Sequence, residues 1–202
     1  MKRIEAVKEF RLSSKRKATN DLAAYPYLFA ENRQPETDYI AIPEVSSENR
    51  RYIPIGFLDS STVPTNAVII IPEISLYHFG VLTSNVHMAW MRAVCGRLEM
   101  RYRYSKDIVY NNFPWPTPTA EQKAKIEKTA QAILDARALY PECSFADMYG
   151  EKMYVFTKLL QAHQANDRAV MQAYGFDVKT MTESACVAEL MKMYQKMVDK
   201  SK

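Results

Sequence analysis

The chain has 202 residues, 48% hydrophobic and 25% charged, with a formal net charge of +4 and an isoelectric point of about 8.8. That composition is an ordinary globular one rather than a disordered one and allows one large core or two small ones, and the mild positive balance is compatible with nucleic acid without requiring it. No apolar run is long enough for a membrane span, the charged N-terminus lacks a secretory core, and three scattered cysteines (Cys95, Cys143, Cys186) have no metal-ligand spacing and point to reduced thiols in a cytoplasm.

Up to Lys17 the chain carries seven basic residues against two acidic ones. Ile4, Val7 and Phe10 recur at helical spacing, so a short amphipathic helix is expected, followed by the basic loop SSKRKAT. A second short helix is expected after Thr19 or Asn20, ending before Pro26. Three runs rich in β-branched and aromatic residues then read as strands: YIAIPEV at 39–45, YIPIGFL at 52–58 and AVIII at 67–71. Pro43, Pro54 and Pro72 confine them to edges, ends or bulges. PEISLYHFGVL and TSNVHMAWMRAVCG read as helices, the second capped by Ser84 or Asn85 and terminated by a left-handed Gly96.

The stretch GRLEMRYRYS at 96–105 alternates without a break from Leu98 to Tyr104. Read as one strand, it puts Leu98, Met100, Tyr102 and Tyr104 on an inner face and Glu99, Arg101 and Arg103 on the other. The segment NNFPWPTPTAEQ then breaks the chain, with Phe113 and Trp115 expected to plug an apolar crevice. Beyond it the pattern is helical. Thr119 with Gln122 makes a capping box, KLLQAHQANDRAVMQAYGF is a helix stopped by Gly175, and Thr180 with Glu183 opens a last one. The expected fold class is α+β: a mixed domain over 1–116, followed by a mainly helical domain over 117–202.

Five glycines leave no room for a dinucleotide-binding or phosphate-cradling loop, and there is no serine elbow, Cys–His signature or paired metal carboxylates. His78 and His87 sit among apolar neighbours and read as structural. No catalytic or metal-binding residue is assigned. NNFPWP only superficially matches the Asn-Pro-Pro-Tyr motif of amino-methyltransferases, because Phe113 separates Asn112 from Pro114.

YIPIGFL, YHFGVLTSNVHMAWMRAVCGRLEMRYRYS, IVYNNFPWP and AHQANDRAVMQAYGF together resemble the C-terminal third of the MmeI-like DNA adenine methyltransferases of restriction–modification systems. The pattern departs around GEKMYVFTKLL at 150–160. The resemblance implies a DNA target recognition domain up to about Pro116 and a C-terminal helical domain after it. It implies an upstream domain of the same polypeptide that binds S-adenosylmethionine and methylates the N6 amine of adenine. The segment itself would hold no cofactor, would bind double-stranded DNA and would not engage a membrane.

The resemblance also places base-reading positions at Glu99, Arg101 and Arg103, with a further one at Ala67. Arginine donates two hydrogen bonds to guanine O6 and N7, and glutamate accepts from the cytosine amine. Without the resemblance, an alternating Glu-x-Arg-x-Arg is more often a solvated strand face with cross-strand ion pairs. Lys15, Arg16, Lys17, Arg50, Arg51 and Lys106 are expected phosphate contacts, for which plain solvation is an equal account. A non-catalytic protein-interaction or structural module is the alternative reading of the whole chain.

Overall fold

A computed structural model describes residues 2–31 and 34–200. The chain divides into two compact units, Met1–Pro35 and Glu36–Lys202.

In the first unit, α1 (Lys2–Leu12) is followed by α2 (Lys17–Asp21) and a 3₁₀ turn (Leu22–Ala24). The second helix thus starts inside the basic stretch, earlier than its sequence suggests. The Arg11 guanidinium ties α1 to the turn after α2, donating to the carbonyls of Leu22 at 2.9 Å and of Tyr25 and Leu28 at 2.7 Å. The apolar stripe of α1 is not covered: none of its residues is buried, and Phe10 is 74% exposed.

The second unit holds two small antiparallel sheets. In the first, β1 (Tyr39–Pro43) lies between β3 (Gly56–Leu58) and β4 (Val68–Pro72). Tyr39, Ile40, Ala41 and Ile42 are all buried, so this strand is covered on both faces, which its unbroken apolar run requires. In the second sheet, β6 (Arg101–Arg103) lies between β2 (Val45–Ser46) and β5 (Gly96–Leu98). The expected strand at 52–58 shrinks to its last three residues. Pro54 offers no N–H for a ladder, and the Ile55 N–H instead donates to the Ile53 carbonyl at 2.8 Å, closing a γ-turn.

The core runs along α3 (Leu76–Leu82) and α4 (Asn85–Val94), where Phe79, Val81, Leu82, Val86, Met88 and Trp90 are all buried. The expected Ser84 cap is present, accepting from the His87 N–H. Gly96 is not a left-handed terminator. The chain leaves α4 through an extended Cys95, and Gly96 opens β5 directly, so the turn of direction needs no positive φ.

α5 (Ala120–Ala138) packs on α3 and α7 (Thr157–Ala173), and α8 (Glu183–Lys200) packs on α4. A short α6 (Phe145–Met148) connects α5 to α7. The Thr119–Gln122 capping box forms as expected, and Gly175 adopts φ 73° just beyond α7. The cap of α8 shifts by two residues: the Thr182 hydroxyl accepts from Ala185, while Thr180 bonds Asp177.

A buried polar chain joins these helices to the segment after β2. The Tyr52 hydroxyl donates to Asp167 at 2.6 Å, and the other Asp167 oxygen accepts from the backbone N–H of Asn85, the first residue of α4. The Tyr52 ring stacks on His163 at 4.3 Å. The His163 Nε2 lies 2.7 Å from the Tyr149 hydroxyl, which also accepts from Arg137. The buried Arg137 guanidinium stands over the rings of Phe79, Phe145 and Tyr149.

Candidate nucleic-acid interface

The decapeptide at 96–105 is not one strand. β5 and β6 are the arms of a hairpin in which Leu98 pairs with Arg101, so Glu99 and Met100 form a two-residue turn. Glu99 has φ 58°, and a tight hairpin needs a positive φ at one of these positions to match the strand twist. The unbroken alternation hid the turn because it contains no Gly, Asn or Asp.

The turn also changes which side chains share a face. Directly opposed residues of an antiparallel pair point to the same side. Leu98 and Gly96 therefore join Arg101 and Arg103 on one face, while Arg97 joins Tyr102 on the other. The Arg97 guanidinium lies 4.1 Å from the centre of the Tyr102 ring and donates to the Met100 carbonyl at 3.1 Å, bracing the turn from behind. Tyr102 and Tyr104 are buried as expected. Leu98 and Met100 are not; they are 42% and 70% exposed.

The outer face carries the charge. Arg101 donates to Glu99 at 2.8 Å, with the two side chains 46% and 76% exposed, and Arg103 is exposed beside them. Such an open ion pair is worth at most about 1 kcal/mol and does not explain the fold. Its support comes from beneath. The Tyr104 hydroxyl lies 2.9 Å from His87 Nε2 inside the core, and burial lowers the His87 pKa to about 3 while raising that of Tyr104. Phe113 meets the His87 ring edge-on at 4.6 Å, and its own ring is buried, as the sequence suggested.

Ala67 lies on the neighbouring sheet, one residue ahead of β4. The Glu44 N–H donates to the Ala67 carbonyl at 3.0 Å, and the Glu44 carbonyl accepts from the Tyr104 N–H at 2.8 Å. Glu44 thus bridges the two sheets, and Ala67 and the base of the hairpin fall on either side of one backbone. Sequence separation gave no sign of this proximity.

The basic residues are dispersed. Lys15, Arg16 and Lys17 are exposed in the first unit. Arg50 is half-buried with its guanidinium 3.4 Å from the Ser46 hydroxyl. Arg51 is exposed, over the Tyr52 ring, with its carbonyl held by Arg92 at 2.7 Å. Lys106 is exposed at the start of a π-helical turn, Lys106–Tyr110. Asn112 closes that turn by donating to the carbonyls of Asp107 and Ile108, which occupies its amide in structure. Three roles were invisible before the register was known: the Arg97 brace, the Leu98 face and the Tyr104–His87 support.

Known proteins resemble this chain along nearly its whole length. The family described as "MmeI, target recognition domain" matches residues 1–117, and "MmeI, C-terminal domain" matches residues 118–201. DNA methyltransferase A of Bacillus subtilis (strain 168) is 35% identical over 198 residues, which is 98% of this chain and 22% of that protein. The solved structure of the Type IIL restriction–modification enzyme MmeI in complex with DNA is 48% identical, with a TM-score of 0.85 over 97% of this chain and 26% of that one. The chain thus spans about a quarter of the length of these relatives. It belongs to the MmeI family, in which it corresponds to the target recognition and C-terminal domains.

Proposed function

We propose that the chain is the sequence-reading segment of an S-adenosylmethionine-dependent adenine-N6 DNA methyltransferase of a restriction–modification system. The observation that carries this is the outward hairpin face, with Glu99 held to Arg101 and Arg103 alongside, in a chain 48% identical to an enzyme solved with DNA. Residues to about 116 read the duplex and the helices beyond brace them. Methyl transfer belongs to an upstream domain, since the 202 residues contain no Asn-Pro-Pro-Tyr motif and no glycine-rich cofactor loop.

In this reading Arg101 donates to guanine O6 and N7 in the major groove, and Glu99 accepts the amine of the paired cytosine. Arg103 reaches a neighbouring step, and Ala67 leaves space beside it. Lys15, Arg16, Lys17, Arg50, Arg51 and Lys106 contact phosphates and hold the register without reading it. With the duplex fixed, the upstream domain flips out the target adenine.

Competition binding separates the two roles. Arg101→Ala is expected to cost about 1–3 kcal/mol on the cognate duplex and little on unrelated DNA. Lys15→Ala or Lys17→Ala is expected to weaken all duplexes alike and to lower the salt slope by about 0.9 for each phosphate no longer neutralised. Equal losses on all DNA for Arg101→Ala would remove it from base reading. A second reading, protein interaction, has its own observation in the uncovered apolar residues of the first unit, including Phe10, Tyr27 and Phe29.

A further inference from the structure

Leu98 is the apolar side chain on the strand face that carries Arg101 and Arg103. It stands directly across from Arg101, with Arg103 two residues further along β6. Opposed side chains on an antiparallel ladder lie about 5 Å apart. Successive base pairs are about 3.4 Å apart, so a groove contact made by Leu98 falls one or two steps from that of Arg101. The side chain is 42% exposed, so an isobutyl group stands open to a ligand laid against the two guanidiniums.

The major groove offers one apolar feature, the 5-methyl group of thymine. Leu98 has no hydrogen-bonding atom, so a groove contact by it senses that methyl or nothing. We infer that Leu98 is a specificity-determining residue that packs on a thymine 5-methyl group within two base pairs of the pair read by Arg101. The inference rests on the major-groove reading proposed above. It adds a base pair selected by apolar contact to those selected by hydrogen bonds.

The test uses the methyltransferase polypeptide that carries this segment, as wild type, Leu98→Ala and Arg101→Ala. Once its recognition sequence is mapped, synthetic duplexes replace each thymine in and beside the site with deoxyuridine, which lacks only the methyl. Wild type is expected to bind one of these duplexes about fourfold more weakly, the equivalent of one buried carbon. That thymine lies within two base pairs of the position whose identity changes in Arg101→Ala. Leu98→Ala, matched to wild type in urea midpoint, is expected to bind the thymine and deoxyuridine duplexes equally. No sensitive thymine near that position, or a sensitivity that persists in Leu98→Ala, overturns the role of Leu98. An unchanged recognition sequence in Arg101→Ala overturns the groove reading itself, and this inference with it.

Discussion

Glu99 occupies a backbone conformation that a side chain disfavours by about 1–2 kcal/mol, at the tip of a hairpin where glycine would sit without strain. Among the described residues its side chain makes an exposed ion pair with Arg101, worth less than that strain. The proposed base-reading role accounts for an outward-pointing residue held against its local cost. Glu99→Gly is therefore expected to leave stability within about 1 kcal/mol of wild type, on the stabilising side, while abolishing discrimination at one base pair. Urea denaturation beside competition binding checks both halves. A stability loss of about 2 kcal/mol or more would make Glu99 a structural residue instead.

Most helices and the central strand were legible in the sequence, because capping residues and periodicity are local signals. Thr119–Gln122, Ser84 and Gly175 each did what their chemistry predicts. The hairpin was illegible for a physical reason: a turn without Gly, Asn or Asp preserved the alternation, while reversing which residues share a face. The candidate site was half legible. Charged positions could be named, but not the partners that place them, since Tyr104–His87 and Ala67–Glu44–Tyr104 join elements through contacts that no local pattern encodes. Packing between α3 and α5 is equally non-local. A Cβ on Gly80 would approach Ile126 Cγ2 to 2.6 Å and Ala130 Cβ to 3.2 Å, so the helices meet where only glycine fits. Gly80→Ala is expected to destabilise the fold by about 1–3 kcal/mol through overpacking, measured as a lower urea midpoint. An unchanged midpoint would show that α5 can move aside.

For the whole molecule, three buried titratable groups, His87, His163 and Asp167, set the response to pH. His87 titrates at about 3 and His163 well below its ordinary value, both through burial, so the folded state binds these protons more weakly than the unfolded chain does. Their contribution is complete above the ordinary histidine value and is lost as pH falls below it, about 2 kcal/mol by pH 5 from His87 alone. Asp167 acts the other way. Burial raises its pKa to about 6, so the folded state holds that proton more tightly and gains stability as pH falls from 7 towards 4, about 1 kcal/mol of it by pH 5. Two histidines outweigh one carboxyl. Net stability is expected to fall between pH 7 and pH 5, and more steeply in Asp167→Asn, which removes the opposing group. Urea midpoints at pH 7, 6 and 5 report this, and a flat profile in both proteins would contradict it.

A map of methylated adenines shows whether the outer hairpin face reads DNA sequence, as proposed. Cells expressing the proposed methyltransferase polypeptide with wild-type sequence, Arg101→Ala or Glu99→Lys are sequenced for modified bases. Each variant is expected to methylate sites differing from wild type at a single position, the same in both, with the rest of the recognition sequence retained. Variants that still methylate, but at the wild-type sites alone, would contradict the proposal.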